Sequence, residues 1–208
     1  MALDVGRLHV LTDTALQARF SHQELARLAL AGGADVIQFR QKRGSTREMI
    51  AAARAMKEVC ALAGAPLIIN DRLDVALAVD ADGVHLGQED FPLGRAREIL
   101  GPGKIIGGSA ATLEEALACQ AQGADYVGFG PVFPTRSKAD AGPVSGLALL
   151  TRVVRALGLP VIAIGGVCAD NAGGLRRAGA HGLAVISAVC CQADPAAATR
   201  DLARAWGL

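Results

Sequence analysis

Short apolar runs alternate with longer amphipathic stretches along the whole chain, and this alternation limits the possible folds more than any other feature. The runs are rich in β-branched residues and are almost continuously apolar, as parallel strands covered on both faces are. Eight such runs occur, at residues 8–12, 36–39, 67–69, 84–86, 104–106, 126–129, 161–164 and 183–186. The sequence therefore predicts eight buried parallel strands.

The stretches between the runs have helical spacing and marked helix ends. Met49, Ala53, Met56 and Cys60 fall on one helix face. Capping boxes are predicted where Ser or Thr precedes Glu by three positions, at 21–24, 45–48 and 112–115. The pair at 194–195 offers an N-cap Asp followed by Pro. Left-handed C-caps are predicted at the glycines before three strands, Gly33, Gly123 and Gly179.

Eight strand–helix units predict an α/β fold, a (β/α)8 TIM barrel that forms a single domain over residues 1–208. The predicted strand ends recur about every 25 residues, which fits one strand, one helix and two short loops. An open doubly wound sheet has the same element order. Eight units without a spare segment favour closure into a barrel.

Composition excludes several function classes. The net charge is +1 and no basic block occurs, so binding of nucleic acid is not expected. No apolar run approaches the roughly 18 residues of a membrane span, and the N-terminus has no export signal. The five cysteines lack a C-x-x-C pair and are expected to be free thiols. We therefore expect a cytoplasmic protein without membrane partners.

Polar side chains follow most of the predicted strands, and in a barrel these positions converge on one mouth. Strand alternation places Gln38, Arg40 and Lys42 on one side and Phe39 on the other. Cations facing a barrel mouth favour an anionic ligand. The alternative is a structural ion pair with Asp71 or Asp90.

Asp71 and Asp90 follow consecutive strands and are expected to be neighbours. Two carboxylates beside several cations suggest Mg²⁺ that holds a diphosphate. A general acid–base dyad is the competing interpretation, although nearby cations are expected to lower both pKa values. Asp90 is also a candidate N-cap of the next helix.

A second anion site is predicted at the last two strands. Gly165-Gly166 and Ile186-Ser187 end them, where barrels of this class bind phosphate through backbone N–H groups. The longest connection, residues 131–145, adds hydroxyls and Lys138, although a plain surface loop has the same composition. Two anion sites at one mouth predict a transfer between two phosphorylated small molecules.

At these residues the chain resembles the thiamine phosphate synthase family, along essentially its whole length. The matching stretches are residues 38–42, 69–72, 83–90, 123–135, 163–167 and 185–188. The resemblance implies a Mg²⁺-dependent transferase that joins a hydroxymethylpyrimidine diphosphate to a thiazole phosphate and releases pyrophosphate. It also implies loss of pyrophosphate before the thiazole nitrogen captures a pyrimidine carbocation. Barrels of this kind often pair, so a homodimer is a further expectation.

The resemblance assigns roles residue by residue. The residues that it implies for binding of the pyrimidine diphosphate are Gln38, Phe39, Arg40, Gln41, Lys42, Asn70, Ser109 and Lys138. Four of these are also implied to be catalytic: Arg40, Lys42, Ser109 and Lys138. It implies metal binding by Asp71 and Asp90. It implies thiazole phosphate binding by Thr135, Arg136, Ser137, Gly166, Ile186 and Ser187.

One position departs from the family pattern. Ala111 stands where the family usually has a histidine, two residues after Ser109. The related thiazole tautomerases use that histidine for proton transfer, so its absence argues against the tautomerase alternative. A second alternative is a non-catalytic barrel that binds a thiamine precursor. The four histidines, His9, His22, His85 and His181, are expected to be structural.

Overall fold

Eight parallel strands form a closed ring in the computed structural model, which describes residues 4–137 and 142–208. Each strand pairs with the next, and the eighth pairs with the first. The strands are β1 Leu8–Thr12, β2 Val36–Phe39, β3 Leu67–Asn70, β4 Gly83–Leu86, β5 Ile105–Ala110, β6 Tyr126–Phe129, β7 Val161–Ile164 and β8 Gly182–Val185. The predicted barrel is confirmed, and the open sheet is excluded.

Helices connect consecutive strands on the outside of the ring, and two helices follow β8. They are α1 His22–Ala31, α2 Thr46–Ala63, α3 Leu73–Ala78, α4 Leu93–Leu100, α5 Leu113–Ala121, α6 Gly146–Ala156, α7 Ala169–Arg177, α8 Ser187–Cys190 and α9 Pro195–Trp206. None of these helices is long and apolar enough to cross a membrane.

Most predicted helix ends are confirmed. Ser21 and Ser45 form complete capping boxes, and Asp194 caps α9. The glycines predicted at the C-terminal ends of helices, Gly33, Gly123 and Gly179, have positive φ. The box predicted at Thr112 is only half formed, because the Glu115 carboxylate accepts from Ala111 N at 2.6 Å. Glu115 thus satisfies the backbone one residue before the cap.

Strand β5 is longer than its apolar run, since it continues through Gly107 and Gly108 to Ala110. In the barrel, a Cβ at Gly107 would overlap the Tyr126 ring and His85. Glycine is therefore needed in the strand for space and does not end it.

The core has two layers that follow from strand alternation. One lies inside the ring and is largely apolar, with Val36, Ile68 and Tyr126 among its members. The other lies between ring and helices and contains Ile37 and Phe39. Successive residues of β2 thus face opposite layers.

Two of the buried polar groups are histidines. His9 lies inside the barrel, where burial lowers its pKa to about 3. His22 packs on Phe39 with 4.7 Å between ring centroids, and burial lowers its pKa to about 4. Both imidazoles are therefore neutral at pH 7. All five cysteines are free thiols, as predicted.

We expect the stability to fall as the pH falls below about 6.5, because the unfolded chain then protonates two imidazoles that the folded barrel keeps neutral. Each histidine contributes up to about 1.4 kcal/mol per pH unit towards its folded pKa. Urea unfolding between about pH 7.5 and pH 4.5 measures this slope. His22→Gln should flatten it, because one of the two buried imidazoles is then absent. A free energy of unfolding that is constant across this range would contradict the prediction.

Candidate active site

The carboxyl ends of the strands surround a cavity of about 610 Å³, a volume typical of small-molecule sites. All eight strands run parallel, so residues that follow their ends meet here although they are far apart in sequence. The polar residues predicted from strands β2 to β5 that line it are Gln38, Arg40, Lys42, Asn70, Asp71, Asp90 and Ser109. They share one cavity, as the two-anion hypothesis requires.

The two cations at the end of β2 have separate carboxylate partners. Arg40 pairs with Asp13, which follows β1, and both side chains are nearly buried. Lys42 pairs with Asp71 and is about half exposed. The structural alternative, in which Asp71 or Asp90 pairs with these cations, thus holds for Lys42 only, because Asp13 lies beside Arg40. The Arg40 fork carries five N–H donors and still lines the cavity.

Asp71 and Asp90 face each other across the ends of β3 and β4. Asp71 has a φ of 66°, an uncommon value for a residue other than glycine, and its N–H donates to His85 O at 2.8 Å. Asp90 accepts from Gly87 N at 2.7 Å, so Asp90 does not cap α4, whose N-cap is Pro92. Burial raises the pKa of Asp90, and the Asp71 carboxylate adds to the rise. The expectation that cations lower both pKa values was therefore wrong for Asp90.

The facing carboxylates fit a hard divalent cation. Two carboxylates that repel each other are stabilised when a cation lies between them, and Mg²⁺ commonly takes one or two carboxylates with waters and phosphate oxygens. Within residues 4–137 and 142–208, no group of three or more His, Cys, Asp or Glu residues could hold a metal. The donor set thus suits an ion that shares its coordination with a substrate, as Mg²⁺ does with phosphates.

Ser109 lies near the end of β5, and its neighbours position both its backbone and its side chain. Gln88 Nε2 donates to Ser109 O at 2.5 Å, and His85 Nε2 lies 2.9 Å from Ser109 Oγ. The hydroxyl therefore has a defined place on the cavity wall.

The opposite wall has hydroxyls and glycine backbone. Ser137 Oγ donates to Ser187 Oγ at 2.9 Å, which joins the long β6–α6 connection to the start of α8. Gly165 and Gly166 have φ values of 92° and 64°, and a Cβ at Gly166 would overlap Pro134 O. Glycine is therefore needed at 166 because residues 133 and 134 pack closely against it, and its backbone lines the cavity together with the first turn of α8. The predicted residues that line this wall are Thr135, Ser137, Gly166, Ile186 and Ser187.

Four other predicted site residues are not placed on the cavity wall. Phe39 packs behind β2 against His22, and Gln41 Nε2 donates to Arg43 O at 2.8 Å. Arg136 is exposed beside the mouth. Lys138 lies outside the described residues.

Three further residues bear on the site although no motif identified them as functional. Asp13 was missed because its partner is 27 positions away in the sequence. His85 was expected to be purely structural, yet it lines the cavity together with Tyr126. Strand alternation near the end of β4 places His85 inside the ring, and this pattern could have identified His85 as a cavity residue from the sequence.

Comparison with known proteins gives a consistent result. The family model described as thiamine monophosphate synthase matches residues 8–189. The chain is 55% identical to a thiamine-phosphate synthase of Salinibacter ruber over 94% of this chain and 86% of that protein. It is 56% identical to one of Methanocella arvoryzae over 94% and 92%. A solved thiamine phosphate pyrophosphorylase from Pyrococcus furiosus superposes with a TM-score of 0.89 at 45% identity, covering 96% of this chain and 95% of that one.

We expect Asp13→Asn to destabilise the protein by about 3 kcal/mol, because it leaves the nearly buried Arg40 guanidinium without its counter-charge. Asn keeps an acceptor for the Ala15 N–H, so the local turn is retained. Urea unfolding at neutral pH measures the loss. Asp74→Asn breaks the exposed pair with Arg72 and should change stability by less than about 1 kcal/mol. Equal losses in the two variants would contradict the prediction.

Proposed function

The chain belongs to the thiamine monophosphate synthase family, and from this premise we propose how its barrel mouth makes thiamine phosphate. A hydroxymethylpyrimidine diphosphate binds on the wall formed by strands β2 to β5. A thiazole phosphate binds on the wall that contains Ser137 and Ser187. The products are thiamine phosphate and pyrophosphate.

The observation that supports this proposal most is that both walls enclose one cavity of about 610 Å³. A cationic wall with two carboxylates suits a diphosphate, and a wall of hydroxyls and glycine backbone suits a monophosphate. Because one cavity holds both substrates, the thiazole nitrogen can reach the pyrimidine methylene carbon that loses pyrophosphate. The reaction thereby gains from proximity and orientation.

Asp71 and Asp90 are the residues we propose to hold Mg²⁺. When bound, the ion neutralises charge on the diphosphate and so makes pyrophosphate a better leaving group. The other residues supply binding and orientation. In the proposal, Arg40 and Lys42 bind diphosphate oxygens, and Lys138 does so as the resemblance implies.

The bond between the pyrimidine methylene carbon and the diphosphate oxygen breaks, and its electron pair leaves with pyrophosphate. The pyrimidine ring stabilises the resulting carbocation. The lone pair of the thiazole nitrogen then forms the new C–N bond. Charge develops mainly on the departing pyrophosphate, where the Arg40 guanidinium and the Ser109 hydroxyl act as preorganised donors.

On the other wall, Thr135, Ser137 and Ser187 bind the thiazole phosphate beside the backbone of Gly166. Ala111 lines the same cavity, and its methyl group cannot transfer a proton. This disfavours the tautomerase.

We also propose that the protein works in the cytoplasm, where a reducing environment suits its five free thiols. A homodimer stays a prediction.

Purified protein supplied with both precursors and Mg²⁺ should form thiamine phosphate and equimolar pyrophosphate, and a chelator should stop the reaction. Chromatography of the products and a pyrophosphate assay measure this. Tight binding of either precursor without product would instead support the non-catalytic binding protein.

Asp71→Asn should lower kcat/KM roughly 100-fold or more, because it removes a charge from the proposed metal site. Asn tolerates the left-handed backbone at this position, so the fold should be retained. Higher Mg²⁺ concentrations should restore part of the rate. Asp74→Asn removes an exposed carboxylate in α3 and is the matched control, with kcat/KM unchanged. Equal rates for the two variants would remove Asp71 from the metal site.

A further inference from the structure

A chain of hydrogen-bonded side chains crosses the interior of the barrel. It begins where His9 Nε2 lies 2.7 Å from the backbone oxygen of Val5. Gln38 Nε2 lies 3.1 Å from His9 Nδ1 and 3.2 Å from the Tyr126 hydroxyl. Gln38 lies in β2 and Tyr126 begins β6, and these strands are on opposite sides of the ring. The contact between them therefore spans the barrel.

The chain continues from the centre to the mouth. The Tyr126 hydroxyl lies 2.9 Å from His85 Nδ1, and His85 Nε2 lies 2.9 Å from Ser109 Oγ. Ser109 is on the wall of the diphosphate side of the cavity. A buried backbone carbonyl at one end of the chain is thus connected to a cavity hydroxyl at the other.

The carbonyl sets the direction of the first links. An oxygen of Val5 can only accept, so His9 Nε2 must carry the hydrogen that it receives. Burial keeps His9 neutral, since its pKa is lowered to about 3. Its Nδ1 is then an acceptor and takes a hydrogen from the Gln38 amide nitrogen. This fixes which end of the Gln38 amide faces His9.

The same logic passes to the mouth. Gln38 gives its second amide hydrogen to the Tyr126 oxygen, so the Tyr126 hydroxyl uses its own hydrogen to donate to His85 Nδ1. Burial raises the pKa of Tyr126, which keeps that hydroxyl protonated. His85 then carries its hydrogen on Nε2 and donates to Ser109 Oγ. Ser109 accepts, and its own hydrogen is directed elsewhere.

We infer that Tyr126 and His85 are positioning residues, which turn the Ser109 hydroxyl into an oriented donor to the diphosphate. The inference rests on the proposed function, because it takes the diphosphate side of the cavity from there. A hydroxyl free to rotate would accept or donate with equal ease. A hydroxyl whose acceptor site is already filled donates without reorientation at the moment that charge develops.

The surrounding strands make room for this chain. A Cβ at Gly107 would overlap the Tyr126 ring and His85, and a Cβ at Gly128 would lie 2.8 Å from His85 Cε1. Across the described parts of the chain, every buried polar side-chain atom has a hydrogen-bond partner. Barrel interiors are usually filled by branched apolar residues. A fully satisfied polar chain in that place imposes one hydrogen-bond pattern on the site.

The tautomers test the inference without any ligand. Long-range ¹H–¹⁵N spectra of the histidine-labelled protein at neutral pH should show His9 and His85 with hydrogen on Nε2 only. His9→Gln and His85→Gln assign the two signals. In Tyr126→Phe, His85 should lose this single tautomer while His9 keeps it. A His85 that carries hydrogen on Nδ1 in the wild-type protein would overturn the inference, whatever the activity.

Binding of inorganic pyrophosphate in the presence of Mg²⁺ tests the link to Ser109. We expect Tyr126→Phe and Ser109→Ala each to raise the Kd about tenfold, the effect of one lost charge-assisted hydrogen bond. The double variant should bind no worse than Ser109→Ala, because both changes act on the same donor. Calorimetry measures all four Kd values. Additive effects, or no effect of Tyr126→Phe, would overturn the inference.

Thr199→Val is the matched control. It removes a buried hydroxyl in α9 that donates to Pro195 O at 2.7 Å, far along the chain from the barrel interior. The Kd for pyrophosphate and the His85 tautomer should both be unchanged. If the wild-type protein binds pyrophosphate and the cycle is non-additive but no thiamine phosphate forms, the proposed function fails and the positioning role stands.

Discussion

Closure of the eight-stranded ring is the constraint on which the rest of the structure depends. Each strand is satisfied by hydrogen bonds on both edges, so no edge is left open. Because the strands run parallel, their carboxyl ends also form one rim. Arg40 after β2 and Ser187 after β8 thereby line the same cavity, although they are far apart in the sequence. Two ligand walls follow from closure rather than from any single motif.

Much of this architecture could be predicted from the sequence, because parallel strands covered on both faces are continuously apolar. The bounds of β1, β2, β6 and β7 agree with the apolar runs. Strand β5 extends beyond its apolar run to Ala110, and the reason that glycine is needed at 107 is the Tyr126 ring of the neighbouring strand. The local hydrophobic pattern predicts which residues are buried, whereas the space that an aromatic side chain from another strand occupies is visible only in the structure.

The candidate site could be predicted in part for the same reason. Alternation along β2 placed Gln38 and Arg40 inside and Phe39 outside, as the structure has them. It could not supply Asp13 as the partner of Arg40, because that contact depends on β1 and β2 pairing side by side at their carboxyl ends. Nor could it reveal the raised pKa of Asp90, which depends on burial and on the nearness of Asp71. Charge type is readable in a sequence, but charge pairing is a property of the closed ring.

The missing Cβ atoms at Gly107 and Gly128 have a consequence for how such a barrel can be redesigned. Each glycine leaves space for an aromatic or imidazole side chain that belongs to another strand. Any residue larger than glycine at either position would displace His85 or Tyr126, and replacing one of these side chains alone with a smaller one would leave a cavity. To reshape the barrel interior beneath the mouth, the two glycines and the side chains that fill their space would have to be randomised together, since single-site libraries contain only mismatched pairs.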